Sequence, residues 1–133
     1  MTEVVVPVRY PLTDHSKRTL AKAIDIATER DGQLTVLHVN QFQTNGSVTR
    51  AQLKSAVERE FGRLSNVRYL VRKGMFIEET LLDEVVAADA DVVVIGKKQA
   101  SRWRRMIRRL VDNPDIEHYL RTELDCDVVT AEP

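Results

Sequence analysis

Two hydrophobic rhythms alternate along the chain. Short apolar runs stand at Val4-Val5-Val6-Pro7-Val8, Leu34-Thr35-Val36-Leu37-His38-Val39, Val92-Val93-Val94-Ile95 and Cys126-Asp127-Val128-Val129-Thr130. Unbroken β-branched runs of this length suit strands buried on both faces. Pro7 falls near the end of the first run, where a missing ladder N–H is tolerated. A weaker, partly alternating run, Val67-Arg68-Tyr69-Leu70-Val71, predicts an edge strand. Between the runs, apolar residues recur at helical spacing: Leu20, Ala23, Ile24 and Ala27; Leu53, Ala56 and Val57; Leu81, Leu82, Val85 and Val86. Thr13 or Asp14 can cap the first helix, and Asp31-Gly32 should end it with Gly32 in the left-handed position. Arg9-Tyr10-Pro11-Leu12 reads as a loop in which Pro11 holds Tyr10 extended, and the polar stretch 40–48 contains the turn signal Asn45-Gly46. Thr49 caps a second helix to about Phe61, a third runs from about Ile77 to Ala88, and a short last helix spans about Pro114 to Leu124. Strands alternating with helices of this length imply βαβ units, right-handed crossovers and a parallel sheet in one α/β domain over residues 1–133.

Composition narrows the class without naming a ligand. The 133 residues are 43% hydrophobic and 30% charged, which describes a globular chain with a real core. Twenty Lys/Arg balance twenty Asp/Glu, so no global field draws the protein towards nucleic acid or membrane. One cysteine, Cys126, excludes an internal disulfide and a cysteine-based metal cluster. The start shows no basic and apolar leader pattern, and no apolar run approaches the roughly 20 residues of a membrane span. A cytoplasmic protein is expected.

The charge is nevertheless uneven. Lys97 to Arg109 carries seven Lys/Arg and no acidic residue, directly after the strand that ends at Gly96. Ligands of open parallel sheets bind outside the carboxyl ends of the strands. Gly96, free to adopt angles other residues resist, should therefore form one wall of any small-molecule site. From Ser101 to Val111, Trp103, Met106, Ile107 and Leu110 share one helical face, and Arg102, Arg104, Arg105, Arg108 and Arg109 cover the rest. Four readings stand for this segment: a surface helix laid over the sheet with Trp103 buried, an anion or nucleotide site, a cationic element for nucleic acid or an anionic surface, or an interaction with an acidic protein partner. Nucleic acid is less expected than the first two, because the segment is brief and the rest of the chain is neutral.

Other chemistry-bearing residues read as structural. His38 lies in an apolar strand and suits a hydrogen-bonded core histidine better than a ligand, while His15 and His118 read as surface residues. Asp14-His15-Ser16 holds the residue types of a hydrolytic triad, but neighbours on a helix cannot face one another. Cys126, beside aspartates, suits a buried structural thiol, and Glu78, Glu79, Asp83 and Glu84 suit a solvated helix face. No close His/Cys/carboxylate spacing suggests a metal.

In order and spacing, several of these stretches are similar to the universal stress protein family over nearly the whole chain. Val4-Val5-Val6-Pro7-Val8 with its capped helix resembles the family's opening, and Gly32-Gln-Leu-Thr-Val-Leu-His-Val39 its second strand. Gly74 before a helix, Ala90-Asp-Val-Val-Val-Ile-Gly96 and Cys126-Asp-Val-Val129 resemble its later elements. The resemblance implies an open five-stranded parallel sheet with helices on both faces, Rossmann-like and akin to the adenine nucleotide alpha hydrolase fold. It also implies a non-enzymatic stress-response protein and a homodimer pairing through the last strand, Cys126 to Thr130.

Many members bind ATP through G-x2-G-x9-G-[S/T] after the fourth strand, where glycines let backbone N–H groups reach phosphates. Here Gly96 is followed by Gln99 in the second glycine's place, and Arg109-Leu110 stands where the closing pair belongs. Aligned backwards from Cys126, the motif's end falls within Asn113-Pro114-Asp115-Ile116, which also lacks it. The acidic residue expected after the first strand is replaced by Arg9 or Tyr10. No family-type ATP site is expected, and no cofactor; ATP and AMP stay open as ligands. The leading expectation is a regulatory protein acting through protein partners or an anionic ligand. The alternative is a nucleotide or phosphate-metabolite binder using Arg9, Tyr10, His38, Gly96, Lys97 and Lys98, with Arg102 and Arg105 reaching in.

Overall fold

In a computed structural model, which describes residues 2–41, 47–110 and 126–131, the two rhythms become a layered α/β domain. The elements are β1 (Glu3–Pro7), α1 (Asp14–Glu29), β2 (Gln33–Gln41), α2 (Arg50–Phe61), β3 (Val67–Gly74), α3 (Ile77–Ala87), β4 (Val92–Gly96), α4 (Lys97–Leu110) and β5 (Asp127–Ala131). The five strands form one parallel sheet in the order β3-β2-β1-β4-β5. β3 is an edge, as its alternating pattern predicts. The turn signal Asn45-Gly46 and the expected helix from Pro114 to Leu124 lie outside the described residues.

Alternation along the strands divides the core in two. Val4 and Val6 of β1 pack with Leu20, Ala23 and Ile26 of α1 and Leu53 and Val57 of α2. Val5 faces the opposite layer with Leu81 and Val85 of α3 and Ala100 and Trp103 of α4. α1 and α2 thus cover one face, α3 and α4 the other. The switch of faces falls between β1 and β4, whose chains lead away to β2 and β5 respectively. These two strands pair only at Val4↔Val92 and Val5↔Val93. They part towards their carboxyl ends, so Pro7 lies beyond the β4 ladder and its missing donor leaves no gap there.

Local chemistry sets the helix ends. Thr13 caps α1 by accepting from the Ser16 N–H. Thr49 and Gln52 form a reciprocal capping box on α2. At the end of α1 the left-handed residue is Asp31 (φ 50°), not Gly32. The Gly32 N–H bonds Ala27 O at 2.8 Å and the Asp31 N–H bonds Thr28 O at 3.2 Å, the paired closure of a Schellman turn. Asp89 repeats the device after α3 (φ 50°). Aspartate tolerates this conformation better than most residues. Gly32 is needed for another reason: a Cβ there would lie 2.5 Å from the Thr2 carbonyl oxygen.

Three further expectations are corrected. Val86 is exposed, so the buried stripe of α3 is Leu81 and Val85 flanked by half-buried Leu82. Gly96 has no positive φ, and a Cβ there would meet only Thr19 Oγ1 at 3.5 Å, an ordinary contact. α4 begins at Lys97, four residues earlier than the periodicity suggests, and its Trp103 is wholly buried. The side chains of Arg104, Met106, Ile107, Arg108, Arg109 and Leu110 lie outside those described.

Candidate functional site

Every helix that follows a strand of a parallel sheet begins at the carboxyl edge, so that edge gathers loop residues and helix first turns. Where β1 and β4 part, it encloses an open pocket of about 980 Å³. Open α/β sheets place ligands at such a switch point.

β1 contributes Pro7, the loop after it Val8, Arg9 and Tyr10, and the cap and first turns of α1 add Thr13, Ser16 and Thr19. Ser16 Oγ accepts from Thr13 Oγ1 at 3.1 Å and from the Arg9 N–H at 3.5 Å. Those bonds hold the loop that carries Arg9 against the helix. From β2 come His38, Val39 and Asn40. The Asn40 amide donates to Val48 O at 2.9 Å and accepts from the Val48 N–H at 3.2 Å, tying the end of β2 to the approach to α2. α3 supplies Ile77, Glu78 and Leu81. The fourth wall is Gly96 with Lys98, Gln99 and Arg102 of α4, spaced to face one side of that helix.

His38 is hydrogen-bonded and also stands in the pocket lining. Its Nδ1 lies 3.0 Å from Val8 O, so it is hydrogen-bonded as a core histidine would be. It is also half-buried in the pocket wall, edge-on to Tyr10 with ring centroids 6.4 Å apart. A carbonyl oxygen only accepts, so Nδ1 is the nitrogen that donates in this bond.

Of the residues singled out from the sequence, Arg9, Tyr10, His38, Gly96, Lys98 and Arg102 are brought together at the pocket. Lys97 and Arg105 are not among its lining residues, and both are exposed. Sequence reasoning missed Thr13, Ser16, Thr19, Asn40, Gln52, Glu78 and Gln99. Their signal was positional: each sits in a helix first or second turn, or at a strand end, at the carboxyl edge.

The electrostatics are lopsided. Arg9, Lys98 and Arg102 face Glu78 as the pocket's one carboxylate among the described lining residues. The ion pairs Lys17–Glu60 (3.4 Å) and Arg72–Glu84 (2.8 Å) lie outside it. Gln99 Nε2 is buried with no hydrogen-bond partner among the described residues. Among the described residues no cluster of His, Cys, Asp and Glu could hold a metal ion, and no helix is long and apolar enough to cross a membrane. Such a pocket can attract an anion, orient it with arginines, and pack an apolar or planar body against Val39, Ile77 and Leu81.

Comparison with known proteins gives one family and many folds of the same kind. The model of the universal stress protein family matches residues 1–130. No curated protein sequence matches significantly. Among solved structures, a universal stress protein in complex with cAMP superposes with a TM-score of 0.65 at 18% identity, over 98% of this chain and 96% of that one. The universal stress protein UspA from Lactobacillus plantarum gives 0.64 at 19%, covering 98% and 97%. The universal stress protein from Archaeoglobus fulgidus in complex with dAMP gives 0.55 at 17%, covering 98% of each chain. At these identities the superpositions establish the shared fold.

Proposed function

The chain belongs to the universal stress protein family, and from that premise we propose that it is a non-enzymatic regulatory protein that senses a small phosphorylated metabolite. The ligand's anionic group would sit in the crevice between β1 and β4, held by Arg9, Lys98 and Arg102. The observation that carries the reading is their convergence: cations from two distant parts of the sequence line one pocket at the switch point of the sheet. Relatives complexed with cAMP and with dAMP support a ligand of nucleotide size carrying one phosphate.

Binding of ATP in the family manner is not part of the proposal. Where the family's glycine loop would wrap phosphates with backbone N–H groups, this chain has a continuous helix from Lys97 to Leu110. A helix exposes only its first few N–H groups, so recognition passes to side chains. Guanidinium groups are suited to that, since they meet phosphate oxygens in pairs. Binding without turnover is supported by Ser16, whose hydroxyl is engaged by Thr13 and the Arg9 N–H while His15 is exposed. The test is charge reversal. Lys98→Glu with Arg102→Glu should weaken binding of AMP at least about tenfold, given roughly 1.5–3 kcal/mol for each charge-assisted bond. Unchanged affinity in the folded double variant sinks the assignment.

A second element concerns assembly. β5 is the other edge of the sheet, and Val128, Val129 and Thr130 along it carry no charge to deter pairing. Pairing of two copies through β5 would continue the sheet across a homodimer, leaving both pockets open at the carboxyl edge for a protein partner to read.

A further inference from the structure

The two edges of the sheet are unlike, and the difference lies in their outward backbone groups. β3 pairs with β2 from Leu34↔Val67 to Gln41↔Gly74, and the Leu34 N–H donates to Asn66 O at 2.9 Å. In an evenly spaced parallel ladder that bond fixes the phase of the rest. The even-numbered residues of β3 turn their backbone groups to β2, while Val67, Tyr69, Val71 and Lys73 turn theirs outward. Such a row of outward groups is a template for a further strand.

On β3 that row is covered. Arg50 Nε, at the start of α2, donates to Tyr69 O at 3.1 Å. Arg72 Nη1 donates to Val71 O at 3.4 Å, and its Nε is held by Glu84 Oε1 of α3 at 2.8 Å. α2 and α3 lie on opposite faces of the sheet. The two guanidiniums therefore fold over the edge from opposite sides, onto successive outward carbonyls. An added strand would lie about 4.7–4.9 Å from β3, in the lane these groups occupy. Moving Arg72 aside would also take from Glu84 its partner in this ion pair. β5 differs, with no basic residue from Asp127 to Ala131.

We propose that Arg50 and Arg72 close β3 to strand addition, with Glu84 positioning Arg72, so that copies of this chain meet edge to edge only through β5. Sheet assembly then stops at two copies, because both outer edges of such a pair are β3. The closure of β3 depends neither on the ligand reading nor on whether β5 itself pairs.

The test is light scattering over a range of protein concentrations. It compares wild type, Arg50→Ala with Arg72→Ala, and a charge-matched control, Lys54→Ala with Arg59→Ala, whose side chains are exposed on α2. Circular dichroism confirms each fold. The arginine variant should rise with concentration to roughly twice the wild-type mass or beyond, as two freed β3 edges join. The control should match wild type. Amide exchange locates the contact: the N–H groups of Tyr69, Val71 and Lys73 should be protected in the variant's oligomers, and their exchange in wild type should not change with concentration. An arginine variant of wild-type mass, a control that associates equally, or wild-type β3 amides that gain protection as concentration rises each overturns the closure. The wild-type exchange decides the matter even where the arginine variant fails to fold. A wild type that stays monomeric removes β5 pairing alone, since the freed β3 edges would still join two copies of the variant.

Discussion

Replacing Trp103 tests what seats α4, the helix that carries two of the pocket's cations. The indole is wholly buried, in a cluster with Leu37, Val39, Ile95, Ala100 and Cys126. An aromatic side chain of this kind buries about 150–250 Å². At about 25 cal/mol per Å² that is about 4–6 kcal/mol of burial, and comparable truncations cost about 3–5 kcal/mol. Domains hold about 5–15 kcal/mol in total, so Trp103→Ala should remove a large share of the stability. Trp103→Phe is the informative partner. It keeps most of the ring and removes an Nε1–H that is buried with no partner among the described residues. Such a donor costs about 1–3 kcal/mol to bury, which offsets much of the lost volume, so the phenylalanine variant should fall within about 1 kcal/mol of wild type. Urea unfolding followed by far-ultraviolet circular dichroism measures both, and fluorescence serves only the wild type because this is the sole tryptophan. If phenylalanine costs as much as alanine, the indole N–H is bonded and packing does not explain how α4 is held.

Three other outcomes follow from the same structure. Gly96→Ala should leave stability nearly unchanged, since the new Cβ meets Thr19 Oγ1 at 3.5 Å, whereas Gly32→Ala, 2.5 Å from Thr2 O, should cost about 1 kcal/mol or more by thermal denaturation. Burial and then the negative charge of Glu58 raise the Tyr69 phenol above its ordinary 10.0. The folded state therefore holds that proton more tightly than the unfolded chain. The contribution is complete below about pH 10 and is lost as pH rises through the folded value. Tyr69→Phe should flatten that alkaline decline in denaturant titrations, and an unchanged slope would contradict the assignment. Val129→Lys on the β5 edge should give a folded monomer by light scattering if β5 pairs two copies; persistence of the dimer would place the interface elsewhere.

The fold was legible because its strands are nearly pure in pattern. Val92-Val93-Val94-Ile95 admits one reading, a strand covered on both faces, and all four residues are buried. Helix starts were legible where a side chain caps them, at Thr13 and Thr49. The start of α4 has no such mark, so its phase could not be read. That phase decides that Lys98 and Arg102 line the pocket while Lys97 does not. Helix ends misled where the glycine rule competed with aspartate: Asp31 takes the left-handed angles and Gly32 answers to a backbone neighbour fixed only by tertiary structure. Glu78 looked like a solvated residue because the other residues that line the pocket with it lie far away in sequence.

The central claim, that the crevice between β1 and β4 holds a small phosphorylated ligand through side chains, is tested most directly by calorimetric titration of AMP, inorganic phosphate and ATP into dialysed protein at low and physiological salt. The account predicts one AMP per chain, inorganic phosphate binding more weakly, affinities that fall as salt rises, and no gain for ATP over AMP. Silence from AMP and phosphate at both salts, or tight stoichiometric retention of ATP with hydrolysis, would contradict it.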